Sequence, residues 1–287
     1  MILGAHVRRR QAKDAGRIAG AGIAGAIEEA TARGADCLQI FVSNQRSWAG
    51  PRYDNAEAGR FREALTASGL RPLVAHLSYV GNVASWDPTT LGRTRELLRE
   101  TVRACDALGI DQLVVHAGAA GPQDRGAAVR AAAQSFRLAV QEADEVRVVA
   151  ELMAGTSGAV ASLPHEAEEL FAEVGDDRLG LCLDTAHLFA AGIALDDPAG
   201  VAALSDELRG RALAPRLALV HANDSVFERG ARRDRHADIG EGLIGPDGWR
   251  SLVNDPVIGS VPWMLETPGD VDRQRADIAS LRSLRER

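Results

Sequence analysis

The stretch LGLCLDT, residues 179–185, is an unbroken apolar run that ends on a carboxylate, Asp184. Apolar runs without alternation are what a parallel strand covered on both faces requires. A carboxylate at the end of such a strand is costly to bury without a partner, because an unpaired charge loses its hydration in a low-dielectric site. His187 stands three residues on.

The same unit recurs along the chain: ILGAHV (2–7), CLQIFVS (37–43), PLVAHLS (72–78), QLVVHAG (112–118), VRVVAEL (146–152), RLALVHAN (216–223) and VPWMLET (261–267). Helical patterning fills the intervals. NAEAGRFREALTASG (55–69) and DPTTLGRTRELLRETVRACDALG (87–109) end at Gly69 and Gly109, and LPHEAEELFAEVG (163–175) opens with proline and ends at Gly175. Those are ordinary start and stop signals for helices. Eight strands alternating with about eight helices in 287 residues, without a linker-like stretch, predict one (β/α)8 TIM barrel over 1–287. A doubly wound open sheet is the alternative, but no G-x-G-x-x-G follows the first strand.

Composition limits the function classes. The chain is 46% hydrophobic and 25% charged, with a formal charge of −7. That charge argues against a general nucleic-acid binder, whose footprint is basic. Cys37, Cys105 and Cys182 are widely spaced and read as reduced core residues. No apolar run reaches membrane-spanning length, and the start MILGAHVRRR reverses the order of a secretory signal. A cytoplasmic monomer is expected. All basic residues but Lys13 are arginine, a bias that reads as genome composition.

Each strand carries a polar residue near its end: His6, Gln39, His76, His116, Glu151, Asp184, His221 and Glu266, at separations of 33, 37, 40, 35, 33, 37 and 45 residues. A barrel gathers all eight at its C-terminal mouth, where barrel enzymes keep their chemistry. One strand histidine is ordinarily a satisfied core residue; seven acids and imidazoles crowded together would repel or stay unpaired. Metal cations resolve the conflict by turning them into ligands. His187 lies one turn past Asp184, and Asp234 and His236 in RRDRHADIGEG (232–242) project to one side of an extended loop. His165, at a helix start, reads as surface or capping. The candidate ligands are therefore His76, His116, Glu151, Asp184, His187, His221, Asp234, His236 and Glu266. Nine exceed one tetrahedral ion and suit three with a shared carboxylate. Nitrogen and oxygen donors without sulfur favour zinc, with manganese or iron as substitutes.

The chain resembles the endonuclease IV family of metal-dependent apurinic/apyrimidinic (AP) endonucleases. The resemblance rests on GAHV (4–7), IFVSNQRSW (40–48), HLSYVGNVAS (76–85), CLDTAHLFAAG (182–192), HANDS (221–225), DRHADIGEG (234–242) and LETPG (265–269). It implies three zinc ions. Glu151 would bridge two of them, one also held by His76 and His116, the other by Asp184, His221 and Glu266. The third would take His187, Asp234 and His236. It further implies hydrolysis of the phosphodiester 5′ to an abasic site in double-stranded DNA, leaving a 3′-hydroxyl and a 5′-deoxyribose phosphate. Glu151 would be the catalytic carboxylate, and water activated by the ions would replace any covalent nucleophile. Arg46, with Gln45 beside it, resembles the arginine that enters the duplex, and Tyr79 and Asn82 resemble residues that line the damaged strand. An abasic nucleotide is cheaper to flip, which favours the lesion. The arginine groups RRR (8–10) and RRDR (232–235) could add positive field at the mouth, and Trp48 reads as packing beneath its loop. The chain departs from the family pattern in LMAGTSG after Glu151, at Ala186, and beside His76 and His116. Two rivals are a sugar isomerase or epimerase on the same barrel and a silent DNA-binding protein. The Asp234/His236 pair and the NQR loop speak for the nuclease.

Overall fold

The computed structural model describes residues 1–7 and 21–286. The arginine group at 8–10 and Lys13 lie outside the described residues. Along the chain run β1 (Leu3–His6), α1 (Ala21–Ala32), β2 (Cys37–Ile40), α2 (Asn55–Ser68), β3 (Leu73–His76), α3 (Pro88–Leu108), β4 (Gln112–His116), α4 (Arg125–Glu142) and β5 (Arg147–Glu151). There follow α5 (Pro164–Val174), β6 (Gly180–Asp184), α6 (Thr185–Ala191), α7 (Pro198–Gly210), β7 (Leu217–His221), β8 (Asp224–Ser225), β9 (His236–Ala237), α8 (Gly245–Asn254), β10 (Trp263–Leu265) and α9 (Val271–Ser283).

Eight of these strands close a parallel barrel in the order β1-β10-β7-β6-β5-β4-β3-β2. Closure joins the ends of the chain, with Leu3 opposite Trp263 and Ala5 opposite Leu265. The three helices with clear sequence signals form as expected. Asp87 accepts the Thr90 amide at the start of α3, and Gly69, Gly109 and Gly175 sit in the left-handed region behind α2, α3 and α5.

The strands bury both faces, and their side chains alternate. Ala5, Leu38, Ala75, Val115, Ala150, Leu183, Val220 and Leu265 face outward into the main core against the helices. One residue earlier, Cys37, Val74, Val114, Val149, Cys182, Leu219 and Met264 form a separate buried cluster inside the barrel. One residue later come the polar strand ends. Period two therefore places Gln39, His76, His116, Glu151, Asp184, His221 and Glu266 on the inner face, one layer above an apolar floor. Register keeps that layer level: His6 lies opposite Gln39, His116 opposite Glu151, and Asp184 opposite His221. The free cysteines are all buried, Cys37 and Cys182 in the floor and Cys105 on α3.

Candidate metal centre

His6, His76, His116, Glu151, Asp184 and His221 are the last residues of their strands, Gln39 is next to last, and Glu266 follows β10 directly. Two further features complete the ring. Asp184 accepts the His187 amide at 3.0 Å, so the strand turns into α6 at once and carries His187 back over the mouth. The short antiparallel pair β8–β9 places His236 opposite Ser225.

Glu151 lies at the centre, fully buried. Its Oε2 is 3.2 Å from His76 Nε2 and 3.4 Å from His116 Nε2. Its Oε1 is 2.9 Å from His221 Nδ1 and 3.6 Å from His187 Nδ1. His221 Nδ1 is also 3.5 Å from Glu266 Oε2 and 4.0 Å from Asp184 Oδ2. On the outer side, Asp234 reaches His187 Nε2 at 3.3 Å and His236 Nε2 at 3.2 Å, and His236 Nε2 lies 3.6 Å from Asp184 Oδ2. All nine candidate ligands are thus brought together. Their donor atoms group as His76–His116–Glu151, Glu151–Asp184–His221–Glu266 and Asp184–His187–His236, and Cys182 Sγ lies close enough to group with Glu151 and His221 as well. Asp234, half exposed, closes the third group from the solvent side.

Buried contacts behind these groups fix which atom each presents. The His76 Nδ1–H donates to Leu77 O at 2.7 Å and the His187 Nδ1–H to Leu152 O at 2.8 Å. The His221 Nε2–H donates to Gln39 Oε1 at 2.9 Å. Each histidine therefore turns its other nitrogen toward the acids. Gln39 Nε2 donates to Glu266 Oε1 at 2.7 Å, and His6 Nδ1 lies 2.8 Å from the same oxygen. Asn223 Nδ2 donates to Asp184 Oδ2 at 2.7 Å while its Oδ1 accepts the Glu266 amide at 2.9 Å. Gln39 and His6 stand in the strand-end series with no assigned role, and HANDS contains Asn223. Nothing in spacing alone marks these three as supports.

Charge in the ring is strongly coupled. Burial opposes ionisation of Glu151, yet the His221 and His116 charges and the hydrogen bonds from His221 and His76 hold its carboxyl well below the usual range. Burial likewise opposes charge on Glu266, but His221 and His6 keep it well below that range. Desolvation works against protonating His187, and Asp184 and Asp234 nevertheless raise it well above ordinary imidazole. Burial pushes His116 down to about 4, only partly offset by Glu151. Burial also pushes the Cys182 thiol up to about 12, so sulfur stays protonated in the floor below the nitrogen and oxygen donors.

The residues fit divalent cations. No lysine or arginine among the described residues pairs with Glu151 or Asp184. The His116–Glu151 separation of 3.4 Å is what two donors, each about 2.0–2.1 Å from one tetrahedral zinc, would show. His236 Nε2 is buried between the Asp234 and Asp184 carboxylates, 3.2 and 3.6 Å away, aligned for a hydrogen bond to neither.

The loop residues border this mouth. Tyr79 is 49% exposed and packs edge-on to Phe41, its ring 5.3 Å from that of His76. The Tyr79 amide donates to Gln45 O at 3.0 Å, which ties the two loops and leaves Arg46 exposed at their tip. Asn82 braces a third loop: its Nδ2 donates to Ala119 O at 2.8 Å, and its Oδ1 accepts the Ala119 amide at 3.0 Å. Trp48 is partly buried beneath the Arg93 guanidinium, 4.4 Å from its ring centre. His165 is exposed in the first turn of α5.

The sequence profile of the xylose isomerase-like TIM barrel family matches residues 27–287. A protein of Streptomyces coelicolor named probable endonuclease 4 is 36% identical over 257 residues, 88% of this chain and 87% of that protein. The crystal structure of endonuclease IV from Thermus thermophilus superimposes with a TM-score of 0.82 at 30% identity, covering 99% of this chain and 98% of the other. A D-tagatose 3-epimerase-like protein superimposes at TM-score 0.74 and 17% identity, covering 99% of this chain and 97% of the other, a likeness of fold alone.

Proposed function

The chain belongs to the endonuclease IV family, and from that premise we propose that it is a metal-dependent AP endonuclease, cutting duplex DNA 5′ to an abasic site. One observation carries the reading: nine nitrogen and oxygen donors converge on one mouth in three groups joined through Glu151 and Asp184. The proposed holders are His76, His116 and Glu151 for one ion; Glu151, Asp184, His221 and Glu266 for a second; His187, Asp234 and His236 for a third. Zinc is the preferred metal for this donor set. Ions bound there supply Lewis acidity, activating water near neutral pH and offsetting charge on the phosphoryl oxygens.

The chain's own residues do the rest. Glu151 spans two groups and fixes their spacing. Gln39 and His6 hold the Glu266 carboxylate, Asn223 holds that of Asp184, and Leu77 and Leu152 carbonyls aim two imidazoles. The apolar floor excludes water from beneath, which strengthens the interactions of the ring above. In this reading Arg46 enters the duplex at the lesion with Gln45 beside it, Tyr79 lines the damaged strand, and Asn82 acts there through the loop it braces; the exposure of Arg46 and Tyr79 at the mouth supports it. The products are a 3′-hydroxyl and a 5′-deoxyribose phosphate.

The test is nicking of an abasic duplex. Protein stripped by strong chelation should be inactive, and zinc should restore cutting with about three ions per chain. Full activity of the stripped protein would refute the metal centre. Metal-dependent turnover of a ketose, with no nicking, would move the chain to the epimerases that share its fold.

A further inference from the structure

We propose that Asp224 is the positioning residue for the third donor group, an inference that rests on the metal-binding reading above. HANDS contributes His221 and Asn223 to the centre and leaves Asp224 unassigned. Its carboxylate is fully buried. Oδ1 accepts the Ser225 amide at 2.8 Å and the Ile244 amide at 3.1 Å. Oδ2 accepts the Gly240 amide and the Trp249 indole N–H, each at 2.9 Å. All four donors are neutral N–H groups, so this is an anchor for chain rather than half of an ion pair.

The donors come from three places: β8 itself, the segment 240–244 and α8. The chain carrying Asp234 and His236 leaves β8, returns as β9 and then wraps this carboxylate. At Gly242 a Cβ would lie 2.3 Å from Asp224 Oδ1, so only glycine allows the loop to pass so close. The Asp224 backbone also pairs with Ala237, and Ser225 pairs with His236. One residue thus holds the Asp234–His236 segment by ladder and by side chain. The other two donor groups stand at the ends of barrel strands and do not use this anchor, whereas His187 of the third is held from α6.

The test compares wild type, Asp224→Asn, Trp249→Phe and His236→Ala. Asparagine keeps the shape but turns an amide N–H₂ toward N–H donors. His236→Ala removes a donor and leaves the anchor. Two readouts are needed: zinc per chain, and the rate of tryptic cleavage at the exposed Arg229, Arg232, Arg233 and Arg235 with chelator present. Asp224→Asn is expected to hold about one ion fewer than wild type, matching His236→Ala. It should also be cut at least about tenfold faster in this loop, whereas His236→Ala is cut at the wild-type rate. Trp249→Phe, lacking one of the four donors, shifts both readouts in the same direction and decides the matter if Asp224→Asn does not fold. Wild-type metal content in the anchor variants overturns the proposal, as does lost metal without faster cleavage. A wild-type chain holding fewer than three ions would instead sink the three-group reading, and the cleavage rates alone would then judge Asp224.

Discussion

Glu151 is where four imidazoles converge, and a single change there tests the most. Glu151→Gln keeps the volume and removes the shared charge. Losing even a supporting contact to a metal ligand typically costs about 10–100-fold, so loss of the ligand itself should lower nicking by more than about 100-fold. Affinity for abasic duplex should persist, because the loop surface is untouched; gel-shift and nicking assays on one preparation separate the two. Gln39→Leu should cost about 10–100-fold in metal affinity, since it frees both Glu266 and His221. A competition titration reads this directly, and unchanged affinity would mean the carboxamide is only packing. At this scale the sequence was most legible. A polar residue ending an apolar run stands out, so His76, His116, Glu151, Asp184, His221 and Glu266 were visible in the text of the chain, and His187, Asp234 and His236 were legible as a histidine one turn on and an i, i+2 pair in a loop. Asn223 and Asp224 were not, because a buried asparagine or aspartate in a loop looks like any turn residue until its hydrogen bonds are known.

Among the elements, long periodic segments were readable and short ones were not. α3 and α5 carry proline at the start and glycine after the end. α6 has seven residues and β8 and β9 two each, too few for either periodicity to show. They are also the elements that build the third donor group, so its ligands could be named from the sequence while the means of holding them could not. The barrel itself followed from strand count and connection length. The loops after β2 and β3 are joined through Tyr79 and Gln45, with Arg46 presented outward. Arg46→Ala should therefore reduce the preference for abasic over intact duplex without changing metal content. An unchanged ratio of the two affinities would remove the loop from lesion recognition.

For the molecule as a whole, electrostatics couples metal, protons and stability. Without metal, His187, His221 and His236 bind protons more tightly than in the unfolded chain, because burial is outweighed by Asp184, Asp234, Glu151 and Glu266 around them. Their contribution is fully present below about 6.5, the unfolded value, and is lost as pH rises through their raised values. Glu151, Glu266 and Asp234 are depressed; their contribution is present above about 4.5 and is lost as pH falls. His116, lowered to about 4, costs stability as pH falls below about 6.5. The metal-free protein should be most stable on the acid side of neutrality and weaken toward alkaline pH. Zinc needs unprotonated imidazoles, so its stabilisation should grow over the same interval. Melting temperatures with zinc and with chelator should then separate as pH rises from about 5 to about 9; parallel curves would contradict the shared site. Three dications would also take the formal charge from −7 to −1, concentrating attraction for phosphate at the mouth of an otherwise acidic molecule.

The two-residue ladder between β8 and β9 separates the centre into a part built on the barrel and a part carried by a loop. Most of the donors are spread over six barrel strands, from His76 to Glu266, and none can be moved without recutting the cylinder. Asp234 and His236 occupy one short excursion pinned at its base, outside the cylinder's hydrogen bonding. Such an excursion can be lengthened, trimmed or exchanged while the staves stay in place, so a barrel of this kind can change how many ions it recruits by editing a single loop.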